Sequence, residues 1–343
     1  MDTLLYGIGR YGKKSMRRGG DLNVAVHLSD GVVWYAGAED PAVVDEVRAL
    51  YPDVDFRHVS SMSDDPNRIV AVVMIDTRPA GSTELDLTYR KLSTCRYVML
   101  DIMRQTGWLS GLSSKYVEVA LMIAQSRGVL HHHDSLYDQG LRDQGLYVKQ
   151  GSLGQIIYMR ESDVVGRLSD ETRSGSFAWC RPSLWKGPDL WLEAAVLELS
   201  SDSHTLLSPL YMSRKSTRAL SNTIYMQTLL ERCKSSRVQI IDESFDMSSV
   251  ACIASKSEYS LVTHNYTMID GDYLVIEYTQ LEALMLGLRL YWPKNVIELM
   301  PPHAAESAQL MNKMTYSEQL EAAIRAFDPD NYKRKVIALC ELD

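Results

Sequence analysis

The stretch from Gly31 to about residue 130 constrains the fold more than any other part of the chain. Short apolar runs alternate there with stretches of helical period. "GVVWYAGA" (Gly31–Ala38), "DVDFRHV" (Asp53–Val59), "RIVAVVMIDTR" (Arg68–Arg78) and "CRYVMLDIMR" (Cys95–Arg104) are rich in β-branched and aromatic residues and read as strands. "DPAVVDEVRALYP" reads as an amphipathic helix, with Pro41 in its first turn and Pro52 past its end. "SKYVEVALMIAQSRG" (Ser114–Gly128) reads as a second helix closed by its glycine. Such an alternation of strands and helices specifies a mostly parallel α/β sheet. Ligands of an open sheet of this kind gather at the carboxyl ends of its strands, where Gly37, Asp76 and Asp101 fall.

A glycine fingerprint near the start invites a different reading. "YGIGRYGKKSMRRGG" contains Gly7, Gly9 and Gly12 in the pattern G-x-G-x-x-G. The pattern holds a dinucleotide only when a buried strand delivers the chain to it and a helix begins there. Only a handful of residues precede Gly7, too few for a core strand, and the residues after Gly12 are basic, so a dehydrogenase ranks last among the readings. Lys13, Lys14, Arg17 and Arg18 instead suggest a basic arm suited to nucleic acid. The whole chain carries a formal charge of −8, so any such contact is a local patch and not a property of the entire surface.

The remaining composition excludes several classes. Five cysteines, widely spaced and without a C-x-x-C pair, fit buried or idle thiols in a reducing compartment. The N-terminus lacks the apolar stretch of a signal peptide, and no run reaches the ~18 apolar residues of a membrane span. A cytoplasmic protein is the expectation. "HHHD" (His131–Asp134) opens a polar, turn-rich segment over residues 129–170 that reads as an insertion, and adjacent histidines point in different directions, so no metal is expected there. Beyond about Val238, β-like runs ("VACIAS", "YLVIEYT") mix with helical ones ("QLEALMLGLRLYW", "AAESAQLMNKMTYSEQLEAAIRAF"). The expected organisation is a basic arm at 1–20, a main domain at 21–235 and a mixed α+β subdomain at 236–343.

Several motifs resemble one enzyme family. "WYAGAEDPAVVDEV" looks like the first motif of an S-adenosylmethionine-dependent methyltransferase. "LLSPLYMSRKSTRALSNTIYM" (Leu206–Met226) resembles the late motif of FtsJ-like RNA 2'-O-methyltransferases, and "SGSFAWCRPSLW" (Ser174–Trp185) resembles a stretch of the poxvirus cap enzyme. The resemblance implies a Rossmann-like S-adenosylmethionine methyltransferase fold with an appended C-terminal subdomain. The implied activity is methyl transfer to a ribose 2'-hydroxyl of capped RNA, in a viral setting. Gly37, Ala38, Glu39 and Asp40 would flank the cofactor, with Asp55 or Asp76 at its ribose or adenine. Lys14 (or Lys13) and Asp101 would be the surviving members of the family's Lys-Asp-Lys-Glu tetrad. Its other two positions fall on Ala178 and Ala219, which cannot move a proton. Lys13, Arg17, Arg18, Arg181, Lys186, Arg214 and Ser216 would contact RNA, with Trp185 stacking on a base. The departures keep a second reading open: an inactive fold retained as an RNA-binding or structural subunit beside capping, polymerase or capsid proteins.

Overall fold

Strand β1 (Asp2–Tyr6) lies in the middle of a sheet, not at a frayed end. The computed structural model describes residues 1–6, 20–37, 41–74, 83–101, 129–131, 173–179, 188–198, 203–207, 228, 231, 238–241, 247–263, 278–300, 302–326 and 328–341. Thr3, Leu4 and Leu5 are fully buried, and Leu4 sits opposite Trp34 on one neighbour and Val72 on the other. Five residues are an ordinary strand length, so the expectation that too little chain precedes Gly7 is wrong. The G-x-G-x-x-G run therefore comes after a buried strand, which meets one of its two structural conditions. The run itself, with the basic residues of the arm, lies outside the described residues.

The first sheet continues with β2 (Val32–Ala36), β3 (Asp55–His58), β4 (Ile69–Met74), β5 (Tyr97–Asp101) and β6 (Val129–His131). Its order is β3-β2-β1-β4-β5-β6, with every pair parallel. The winding reverses between β1 and β4, the doubly wound pattern whose switch point is a habitual ligand site. Helix α1 (Gly20–Leu28) packs on β1 and β4 through Leu22, Val24, Ala25 and Leu28, and Thr3 donates its hydroxyl hydrogen to the Ala25 carbonyl at 2.7 Å. Helix α2 (Pro41–Leu50) buries Val44 and Val47, one turn apart. Its Arg48 reaches the Phe56 carbonyl at 2.9 Å. Helix α3 (Thr83–Leu92) carries Glu84 and Asp86 in its first turn and Arg90 and Lys91 in its last, the arrangement its dipole favours.

The chain divides into two compact units, residues 1–158 with 327–343 and residues 159–326. The second unit holds its own sheet, built from β7 (Ser176–Trp179), β8 (His204–Leu207), β9 (Val238–Ile241), β10 (Tyr259–Leu261) and β11 (Arg289–Tyr291). Its order is β11-β10-β7-β8-β9, again parallel throughout and again with the first strand in the middle. Trp191, Leu192, Ala194 and Ala195 of α4 (Pro188–Leu197) pack with Ala178, Leu206 and Leu261 to make its core.

This second sheet corrects the expected fold. A single methyltransferase domain over 21–235 would need β7 and β8 in the first sheet, but they pair with β9 and β10 instead. The C-terminal third is not a separate mixed subdomain, because its strands complete that parallel sheet. All of "VACIAS" but its last residue is helical, in α5 (Met247–Ala254). "QLEALMLGLRLYW" breaks at Gly287 (φ +83°), so that α6 (Tyr278–Met285) gives way to β11. After the short α7 (Lys294–Ile297), the long helical run divides into α8 (Pro302–Lys313) and α9 (Tyr316–Ala326). The break is a capping box: Thr315 N–H donates to Glu318 Oε2 at 2.7 Å, and Glu318 N–H to Thr315 Oγ1 at 3.3 Å.

Helix α10 (Pro329–Glu341) returns to the first unit. It packs on α1, where Lys333 Nζ binds the Ser29 carbonyl at 2.9 Å and Asp30 Oδ1 at 2.6 Å. At the outer edge of the second sheet, β11 is covered by two side-chain amides. Gln319 accepts from Leu290 N–H at 2.7 Å and donates to Leu290 O at 2.9 Å; Asn312 does the same for Trp292 at 2.8 and 2.7 Å. These two residues stand in for a missing neighbouring strand and close an edge that would otherwise be open to pairing.

Candidate functional site

The described polar groups converge at the carboxyl ends of β2 and β3. Parallel pairing sets Tyr35 opposite His58, the last residue of β3. Two residues beyond Tyr35, Gly37 turns the chain with φ +73°, a conformation that glycine enters without steric cost. Its N–H donates to Glu84 Oε2 at 2.9 Å. The other carboxylate oxygen, Oε1, lies 3.1 Å from His58 Nε2. Glu84 is the second residue of α3, so the helix N-terminus brings a carboxylate to both strand ends.

The partners of His58 fix which nitrogen carries hydrogen. His58 caps a single 3-10 turn (Val59–Ser61), and Ser60 N–H donates to its Nδ1 at 3.2 Å. Nδ1 is therefore the acceptor, and Nε2 bears the hydrogen given to Glu84. The Ser60 hydroxyl lies 2.7 Å from the same Nδ1. Val59 and Met62 are buried and anchor the turn, while the Tyr35 ring meets the imidazole edge-on at 5.3 Å. The His58 and Glu84 side chains are about one-third exposed, at 34% and 36%. A carboxylate, an imidazole and a hydroxyl thus stand in line, able to bind hydroxyl groups and to pass a proton.

The second sheet has a comparable pair in a different place. Ser176 Oγ and His204 Nδ1 lie 2.9 Å apart, fully buried, with the Trp191 ring at 84° to the imidazole. Both residues open their strands, at the amino ends, where sheets of this kind do not bind ligands. The pair ties β7 to β8. Among the described residues no group of three or more His, Cys, Asp or Glu is placed to hold a metal ion. Cys95 and Cys340 are buried, and burial pushes the Cys95 thiol up to about 11, so it is an inert packing group.

Of the residues singled out from the sequence, Gly37 stands in this cluster. Asp55 opens β3 at the other end of the strand from His58 and pairs with Arg57 at 2.5 Å, away from the carboxyl edge. Asp101 ends β5, in register with His131 of β6. Lys13, Lys14, Arg17, Arg18, Ala38, Glu39, Asp40, Asp76, Arg181, Lys186, Arg214 and Ser216 lie outside the described residues, as do His132, His133 and Asp134. Sequence reasoning missed His58, Ser60 and Glu84. The available signals were a histidine at the end of an expected strand and an acidic residue in the first turn of a helix.

No protein-family model matches the sequence, and no curated protein sequence matches it. Solved structures do resemble it, along nearly the whole of both chains. HepE of Anabaena, solved in complex with UDP, is 13% identical, with a TM-score of 0.56 over 98% of this chain and 99% of its own. A UDP-forming α,α-trehalose-phosphate synthase of Burkholderia vietnamiensis is 10% identical, with a TM-score of 0.54 over 100% and 99%. An α-glucosyltransferase bound to UDP-glucose and DNA is 12% identical, with a TM-score of 0.54 over 99% and 93%. At these identities the likeness establishes a shared fold.

That fold overturns the methyltransferase resemblance. The short motifs behind it are spread over two sheets that an FtsJ-like domain does not have, so their order along the chain was coincidental. RNA cap methylation, S-adenosylmethionine as cofactor and the viral capping setting fall with it, as does the inactive methyltransferase-like subunit. No helix among the described residues is long and apolar enough to cross a membrane.

Proposed function

We propose that this protein is a glycosyltransferase of the GT-B type, moving a sugar from a uridine diphosphate donor to an acceptor hydroxyl. The observation that carries the reading is the pair of parallel sheets among the described residues, each wound from a central first strand, matched end to end by structures solved with UDP or UDP-glucose. A sheet of this kind offers backbone amides and helix N-termini at its carboxyl edge, which suit a diphosphate.

The chemistry asks little of a cofactor. The acceptor oxygen bonds to the anomeric carbon as the bond from that carbon to the diphosphate oxygen breaks, and UDP leaves with the electron pair. The protein must hold the two substrates in line, stabilise the charge growing on the diphosphate and find a place for the acceptor's proton.

Calorimetric titration with UDP, followed by an assay of UDP release from UDP-glucose, tests this reading. Saturable binding of UDP with slow release of UDP from UDP-glucose is the expected outcome. Absence of both at millimolar ligand rejects it.

A further inference from the structure

One described strand pair is out of register. Where β1 meets β4, Leu4 stands opposite Val72 but Leu5 stands opposite Met74, so Val73 has no partner residue on β1. The other described pairs of both sheets run without such a shift. An extra residue of this kind is a β-bulge, which is rare between parallel strands and leaves a peptide group of the bulged strand outside the ladder. Nothing in the composition of β4 forces it, because Ile69–Met74 reads IVAVVM, without the glycine that commonly marks a bulge.

The shift falls at the switch point. β1 and β4 are the strands between which the winding reverses, and Val73 is the last residue but one of β4, at its carboxyl end. The register of β4 with its other neighbour, β5, also runs only as far as Val72 and Leu100. On the far side of β1, Leu5 and Tyr6 pair with Tyr35 and Ala36, just before Gly37 turns the chain. Neighbouring strands lie about 4.8 Å apart, so the bulge and Gly37 flank the end of β1 at a separation of roughly 10 Å.

We infer that the bulge at Val73 is a main-chain binding site for a sugar hydroxyl; the inference rests on the sugar-transfer reading above. A peptide group released from the ladder offers an N–H donor together with a C=O acceptor. A hydroxyl, which both donates and accepts, uses the two together, whereas an ionised phosphate oxygen only accepts. A backbone contact also needs no long side chain to be ordered, so little entropy is lost in making it. Held there, the sugar ring is fixed at the place where open sheets of this kind take their ligands.

Amide hydrogen exchange in the full chain, resolved at Val73, tests this without any substitution. It is measured with saturating UDP, with UDP-glucose, and with UDP plus free glucose. Exchange at Val73 slows about 5-fold or more when glucose is present in either form, relative to UDP alone. Slowing with UDP-glucose assigns the hydroxyl to the donor, and slowing only with UDP plus glucose assigns it to the acceptor. Val73→Pro keeps the extra residue, which bulges tolerate as proline, and removes its N–H. By calorimetry it retains wild-type UDP affinity and loses about 10-fold for the glucose-bearing ligand, while Val73→Ala, which keeps the N–H, matches wild type. Equal exchange at Val73 under all three conditions overturns the assignment. So does a folded Val73→Pro chain that binds glucose-bearing ligands as the wild type does, or one that loses UDP itself to the same degree. Those results leave the sugar-transfer reading intact. A wild-type chain that neither binds UDP nor releases it from UDP-glucose overturns both.

Discussion

The first sheet gathers its polar side chains at the carboxyl ends of β2 and β3, whereas the second keeps its closest ones at the amino ends of β7 and β8 and along the outer edge of β11. Both sheets are parallel and both start from the middle, so winding alone does not explain the difference. His58 and Glu84 are partly exposed, while Gly37 beside them is buried. Ser176, His204 and Gln319 are buried, and their bonds hold strands together. The same kinds of residue thus stand partly open at the carboxyl end of one sheet and hold strands together in the other.

Substitutions that separate these roles sharpen the comparison. The largest effect on stability falls at Gly175, whose φ is +77° and where an added Cβ would stand 1.5 Å from the Ser203 carbonyl oxygen. Gly175→Ala forces β7 and β8 apart at their amino ends and costs about 3 kcal/mol or more. Gly31, with φ +91° but open space around it, is the control in the first unit. Gly31→Ala meets only the backbone penalty of about 1 kcal/mol. Denaturant unfolding of the two variants measures both, and equal losses would refute the contrast.

Next in size is the covered edge of β11. Gln319→Leu leaves Leu290 N–H, Leu290 O and Met311 O without their buried partner, at a cost of about 2–4 kcal/mol. Asn312→Leu, at a half-buried position, costs about 1–2 kcal/mol. Thermal unfolding ranks the two, and the reverse order would show that the edge is held differently.

The smallest effect is at the exposed capping box between α8 and α9. Hydrogen bonds from the Thr315 backbone and hydroxyl lower the Glu318 carboxyl below its ordinary value. A carboxyl held lower in the folded state adds stability above its unfolded value, and that contribution disappears as pH falls through the folded one. Glu318→Gln is thus slightly destabilising at neutral pH and indistinguishable from wild type in strong acid. A difference that persists unchanged to pH 2 would contradict the capping role.

The sequence made the inner strands of the first sheet visible for a physical reason. β2, β4 and β5 are close to continuous apolar runs, and α2 shows its helical period between two prolines. β1 escaped because a short terminal run has no flanking turn signals on one side, although Thr3, Leu4 and Leu5 turned out fully buried. "VACIAS" was ambiguous, since a short apolar run of small and β-branched residues suits a buried helix as well as a strand. The decisive error concerned partners. Nothing local in "SGSFAWCRPSLW" says that Ser176–Trp179 pairs with Tyr259 and His204 rather than extending the first sheet. The site was half legible: Gly37 marks a turn at a strand end, but Glu84 reaches it from 47 residues away, a distance no spacing rule covers.

The central proposal, that this chain binds a uridine diphosphate donor, is tested most directly by parallel calorimetric titrations of the full chain with UDP and with S-adenosylmethionine. Saturable heat with UDP and none with S-adenosylmethionine is the predicted result. Saturable heat with S-adenosylmethionine and none with UDP would contradict it.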